Sequence, residues 1–248
     1  MDAPYLPADD PVAVEVTRLV QAGDVTGLER LLAERPDLVT ARLGEPGCSR
    51  TLLHVATDWP GNFPNGPEVV ALLVRAGADV DARFDGGEDS HTETPLHWAA
   101  SSDDVAVLDA LLDAGADIDA DGAVLGGGSA LADACGFGNW AAARRLVERG
   151  ARTRLKDAAA LGLMDRVEAA FAAPGPSGPP DEEAVTRALW SACHGGQQLA
   201  AEYLVARGAD LDWVGWDDLT PLDVAEQSGA TDLVGWLISR GARRATAC

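Results

Sequence analysis

The chain has 248 residues, 47% hydrophobic but only 5% aromatic, which suits a core built largely from small side chains. With 40 acidic against 19 basic residues the formal net charge is −21, a field that repels phosphate backbones and argues against general nucleic-acid binding. No run of about 18 apolar residues occurs, so neither a membrane-spanning segment nor a membrane association is expected, and Met1-Asp2-Ala3-Pro4-Tyr5 does not read as a secretory leader.

Along the chain, helical periodicity first appears at Val12–Val20. A turn at Ala22-Gly23-Asp24 follows, and a second helix, Val25–Glu34, is stopped at Arg35-Pro36. From Thr51 a phrase begins to repeat. Its clearest copy is Thr94-Pro95-Leu96-His97-Trp98-Ala99-Ala100, followed by a leucine-rich stretch ending Leu111-Leu112-Asp113-Ala114-Gly115-Ala116-Asp117. Leu96, Leu108, Leu111 and Leu112 form the buried stripe, and Gly115 ends the second helix. A degenerate copy opens at Ser129, a cryptic one runs from Leu155 to Phe171, and another passes through Leu189. The phrase then returns as Thr220-Pro221-Leu222, ending Leu237-Ile238-Ser239-Arg240-Gly241-Ala242. Leu189 and Leu222 are separated by 33 residues, as are Gly208 and Gly241.

A Thr-Pro-Leu-His opening at that period resembles the ankyrin repeat family. The resemblance implies an all-α solenoid of about seven helix-turn-helix repeats with projecting finger loops, forming one domain over 1–248. The expected repeats span approximately 11–42, 51–82, 94–120, 129–152, 155–173, 184–212 and 220–244. The first reads as an end cap, since it lacks the phrase and is polar on one flank. Residues 174–180, all Pro, Gly or Ser, read as a loop insertion between the fifth and sixth. In this family the phrase histidine resembles a structural clamp on the neighbouring finger. His54 and His97 are therefore read as structural, and Trp190, in the same place, implies that the clamp is missing there.

Where the chain departs from its own repeat, exposed surface changes. The turn after Asp58 is lengthened to Trp59-Pro60-Gly61-Asn62-Phe63-Pro64-Asn65-Gly66-Pro67, either a self-packed loop or the wall of a pocket. The finger before repeat three carries His91 and Glu93 in an acidic, glycine-rich segment. The finger Trp213-Val214-Gly215-Trp216-Asp217 holds two tryptophans that either pack locally or meet a ligand. By resemblance, the residues before each turn line the concave face. The candidate binding residues are thus Arg50, Asp58, Trp59, His91, Glu93, Ser101, Ser102, Phe137, His194, Trp213, Trp216 and Asp217. Trp98 and Trp236 are read as core, and Trp140 as partly exposed.

Two functions from different classes follow. The first is a non-catalytic module that recognises a partner protein through its concave face and fingers. The alternative is a small-molecule-binding protein or an enzyme, with Asp58, His91 and His194 performing acid–base chemistry in a concave pocket. His54 and Asp58, four residues apart, are at most half of a general-base pair. Cys48, Cys135, Cys193 and Cys248 lack metal-knuckle or redox spacing, and no phosphate loop or nucleophile elbow occurs, so neither a metal nor a cofactor is expected. The single lysine, Lys156, in an Ala-, Gly- and Arg-rich composition suggests a GC-rich bacterial genome. A cytoplasmic monomer with reduced thiols is expected.

Overall fold

A computed structural model describes residues 4–86, 92–125, 127–172 and 178–245. Internal contacts divide the chain into two bodies, Met1–Ala151 and Arg152–Cys248.

The N-terminal body is built from helix pairs: α1 (Pro11–Ala22) with α2 (Val25–Glu34), α3 (Leu52–Thr57) with α4 (Gly66–Ala76), α5 (Pro95–Ser101) with α6 (Val105–Asp113), and α7 (Ala130–Gly136) with α8 (Trp140–Glu148). The first helices contact one another in the order α1, α3, α5, α7, and the second helices in the order α2, α4, α6, α8. Their facing stripes supply the core: Leu28, Leu53, Leu73, Leu96, Leu108, Leu111, Leu131 and Leu146 are all fully buried. Of the inner helices, α3, α5 and α7 are short, with 6, 7 and 7 residues. Such helices have little stability alone, and burial of the apolar stripe holds them.

Helix α1 starts earlier than its apolar pattern suggests. Asp10 caps it by accepting from the Val12 N–H at 2.7 Å, and Pro11 occupies the first turn, where no donor is needed. The first finger is also more regular than an all-helical reading implies. A small sheet joins β1 (Tyr5–Leu6), β2 (Arg42–Glu45) and β3 (Cys48–Arg50), with β1 parallel and β3 antiparallel to β2. Arg42 ties this hairpin to the next finger: its guanidinium donates to Ser49 Oγ at 2.8 Å, to the Ser49 carbonyl at 3.0 Å and to the Arg83 carbonyl at 2.7 Å.

The C-terminal body pairs α9 (Leu155–Ala160) with α10 (Met164–Ala172), α11 (Glu182–His194) with α12 (Gln198–Val205), and α13 (Pro221–Gln227) with α14 (Thr231–Ser239). Here α11 contacts both α9 and α13. Its core runs through Val167, Leu189, Leu204, Leu222, Leu233 and Leu237. Of the Pro/Gly loop, residues 174–177 lie outside the described residues.

Fingers are tied to their neighbours by aspartates at the ends of the repeats. Asp81 accepts from the Asp117 N–H at 3.0 Å, and Asp212 accepts from the Arg243 N–H at 2.8 Å. The phrase histidines form the expected clamps. His54 Nδ1 lies 2.9 Å from Thr51 Oγ1 and its Nε2 3.2 Å from the Glu93 carbonyl; His97 makes the same pair of contacts to Thr94 and to the Gly128 carbonyl. One part of the expectation is corrected: the clamp is not missing in repeat six. The Trp190 indole N–H donates to the Leu219 carbonyl at 2.9 Å, one residue before Thr220, just as Glu93 and Gly128 precede Thr94 and Ser129. A different ring with one donor reaches the same acceptor. No described helix is long and apolar enough to cross a membrane.

Candidate functional site

The surface feature with the most chemistry lies in the N-terminal body, where three successive turns meet. Helix α3 ends at Thr57, and Asp58 is already extended, with φ −64° and ψ 154°. The chain therefore leaves the helix at Asp58, and the lengthened turn swings out. Both of its flanks are fastened. The Asn62 N–H donates to Asp104 Oδ2 at 2.7 Å on one side, and Asn65 Nδ2 donates to the Gly23 carbonyl at 3.0 Å on the other. Asp104 is itself buried, and its other oxygen caps α6 through the Val107 N–H at 3.1 Å. At Gly61 the backbone comes so near the next turn that a Cβ would stand 2.6 Å from that of Ser102. With the loop backbone fixed in this way, Phe63 is half-buried while Trp59 remains 80% exposed.

Trp59 stands at the rim of a cavity of about 590 Å³ lined by Thr57, Asp58, Trp59, Glu93, Trp98, Ser101, Ser102, Val124, Phe137 and Asn139. This volume falls within the range of ligand-binding clefts. Phe137, just beyond the end of α7, is 49% exposed and supplies another apolar wall. Ser101 closes α5 and Ser102 follows it; the Ser102 hydroxyl donates to the Thr57 carbonyl at 3.3 Å, joining two turns. Ser101 Oγ is shut off from solvent and has no hydrogen-bond partner among the described residues.

Electrostatics divide the two acids of the cavity. Asp58 is committed: it pairs with the Arg50 guanidinium, and its Oδ1 accepts from the Trp59 N–H at 2.9 Å. Arg50 in turn borders an adjoining cavity of about 360 Å³ along α1, with Val14 and Arg18. Glu93 is half-buried and has no ion-pair partner among the described residues. Burial raises its pKa above the usual carboxylate value, and the nearby Trp98 indole N–H pulls the other way.

The structure removes the His54–Asp58 pair from consideration. His54 is fully buried with both ring nitrogens engaged, and burial lowers its pKa to about 4. Asp58 faces Arg50 instead. His97 is likewise pushed down to about 4 by burial, so both rings are neutral supports. Trp98 also differs from expectation. It is half-buried rather than enclosed, meets His54 edge-on at 5.0 Å, and borders the cavity. The signal was available: Trp98 precedes Ser101 and Ser102 by three and four residues, which puts all three on one helix face.

Of the twelve residues singled out in the sequence, Asp58, Trp59, Glu93, Ser101, Ser102 and Phe137 border this one cavity, with Arg50 bound to Asp58. His91 lies outside the described residues. The other four belong to the C-terminal body. His194 ends α11 with its ring 5.4 Å from Trp190, and Trp190 meets Trp216 at 5.0 Å in a T-shaped contact. Trp213 meets Trp216 at 5.8 Å, and Lys156 Nζ sits 5.6 Å over the Trp216 ring. The finger's tryptophans are thus half-buried against one another and against repeat six, leaving Asp217 exposed. Among the described residues, no three His, Cys, Asp or Glu side chains are grouped to hold a metal ion.

Stacked helix pairs, clamped fingers and a groove across successive turns define a repeat protein. A family model for ankyrin repeats (3 copies) matches residues 17–122 and 53–157, more than half of the 248 residues. The chain belongs to the ankyrin repeat family. It is 40% identical over 79 residues to protein fem-1 homolog A of Rattus norvegicus, and equally to protein fem-1 homolog A-A of Mus musculus. These alignments cover 28% of this chain and 11% of each relative.

Proposed function

We propose that this chain is a non-catalytic binding module that recognises a partner protein through the groove bordered by Asp58, Trp59, Glu93, Ser101, Ser102 and Phe137. Ankyrin repeats are in general protein–protein interaction modules, and the relatives' names add nothing about this chain's partner. One observation carries the reading: Trp59 is 80% exposed on a loop whose backbone is pinned on both flanks. A large exposed indole on a rigid support is the usual chemistry of an interface anchor, since little conformational freedom is lost when a partner covers it. Phe137 and Trp98 across the same cavity extend the apolar surface.

The acid–base alternative draws no support from this geometry. Asp58 is held by Arg50, His194 lies against Trp190 in the other body at a tilt of 30°, and His91 lies outside the described residues.

The test is selection of a random peptide library against the whole chain, with counter-selection against Trp59→Ala. Peptides that bind the parent and lose affinity on the variant by about tenfold or more, the effect of one interface hot spot, are expected. If every selected peptide binds the variant as well as the parent, recognition does not use this groove.

A further inference from the structure

We infer that the cavity beside Trp59 receives an arginine side chain of the partner, its guanidinium meeting the Glu93 carboxylate between the aromatic walls of Trp59 and Phe137. This inference rests on the binding-module reading and adds the chemistry of the occupant.

The argument begins with the two acids. Asp58 already has its cation in Arg50 and its backbone donor in Trp59, so it offers a partner little. Glu93 borders the same cavity without an ion pair among the described residues. A half-buried carboxylate is disfavoured in its charged form; at Glu93 the Trp98 indole N–H offsets part of that cost, and burial remains the larger influence. An entering cation relieves that cost where an apolar or anionic group cannot. The field of the whole chain, with a net charge of −21, attracts cations and repels acidic segments.

The walls choose between cations. Trp59 and Phe137 are 80% and 49% exposed, and Trp98 also borders the space. A planar guanidinium can stack on an aromatic face while its edge hydrogen-bonds a carboxylate, whereas a compact, strongly hydrated ammonium does one at the expense of the other. The Ser102 hydroxyl on the same wall, whose proton goes to the Thr57 carbonyl, supplies an acceptor for one of the remaining guanidinium donors. A cavity of about 590 Å³ also admits the flanking residues, so the arginine would sit within an apolar peptide segment.

The probes are the acetylated, amidated peptide Ala-Leu-Arg-Leu-Ala and the same peptide with citrulline, which keeps the planar group and removes its charge. Binding to the full chain is followed through the indole N–H signals of Trp59 and Trp98, assigned with Trp59→Phe and Trp98→Phe. The arginine peptide should bind saturably and the citrulline peptide about tenfold more weakly or not at all, the scale of one charge-assisted hydrogen bond. Glu93→Gln should abolish that preference, and its circular dichroism and urea midpoint would show whether the variant is folded. Equal binding of both peptides, an unchanged preference in folded Glu93→Gln, or no perturbation by either peptide overturns the inference. None of these results touches the binding-module reading, which stands or falls with Trp59-dependent peptides of any sequence in the library selection.

Discussion

Two loops carry tryptophans that interrupt the repeat, and the two end in opposite states. In the loop after Asp58, hydrogen bonds to Asp104 and Gly23 fix the backbone from both flanks, and Trp59 projects with 80% of its surface exposed. In the finger before α13, Trp213 and Trp216 turn inward because repeat six has Trp190 where repeats two and three have a histidine. The larger ring gives Trp216 an aromatic partner at 5.0 Å, and the same ring still clamps the Leu219 carbonyl. An aromatic residue in a loop is thus left exposed or packed away according to what stands at one neighbouring position.

The strongest way to break the comparison is Trp190→Ala. It removes a nearly buried ring together with the donor to Leu219, so a loss of about 3–5 kcal/mol is expected, the range for large-to-small core changes. Urea unfolding followed by circular dichroism would measure it, and amide exchange should show the loss concentrated in α11 and α13. A change below about 1 kcal/mol would mean that the tryptophan cluster is not what holds the finger.

Acid separates the two kinds of clamp next. His54 and His97 titrate near 6.5 when unfolded but near 4 when folded, because burial disfavours the charged ring. The folded state therefore binds their protons less readily than the unfolded chain does. Their stabilising contribution is complete above about pH 6.5, declines as pH falls toward 4, and has gone below that, up to about 3 kcal/mol per ring. Asp109, whose pKa is lowered by Arg145 and Arg149, loses its contribution only at lower pH, below the ordinary carboxylate value. Trp190 does not titrate. Urea midpoints measured between pH 7.5 and 4.5 should fall less steeply in His97→Asn than in the parent, while Trp190→His should add a slope. Parallel profiles for all three proteins would refute the assignment.

A smaller effect sharpens the finger itself. A Cβ at Gly215 would stand 2.5 Å from the Trp213 ring and 2.7 Å from Trp190 Nε1. Gly215→Ala should therefore cost about 1–3 kcal/mol through overpacking, and it should shift the tryptophan fluorescence as the cluster opens. Unaltered emission and stability would show that the rings move aside freely.

The smallest effect on stability is expected where the effect on binding is largest. Trp59→Ala removes an exposed side chain, so the urea midpoint should stay within about 0.5 kcal/mol of the parent. A large destabilisation would show that the indole supports the fold, and the loop would then resemble the Trp213 finger after all.

Much of this was legible in the residues. The spacing of Leu96, Leu108 and Leu111 and of the glycines after five of the second helices located the helix pairs, because a stripe at helical period has to be buried. Six of the twelve candidate surface residues border one cavity: Asp58, Trp59, Ser101, Ser102 and Phe137 occupy equivalent positions at successive turns, which stacking brings together, and Glu93 joins them from a finger. What could not be read were choices made between repeats. Trp190 as a clamp depended on a carbonyl 29 residues away, and Arg50 as the partner of Asp58 depended on the path of the chain through β3. The sheet formed by β1, β2 and β3 lay in segments too short to carry a pattern.

The sequence by itself determined the architecture: a repeated phrase places the same stripe on every helix pair, and a stripe can be buried only against another copy of itself. It also located the interruptions. Only the tertiary structure decided what each interruption does. The exposure of Trp59, the half-burial of Trp213 and Trp216, the pairing of Asp58 and, among the described residues, the lack of an ion pair at Glu93 each depend on side chains that meet only after neighbouring repeats have stacked.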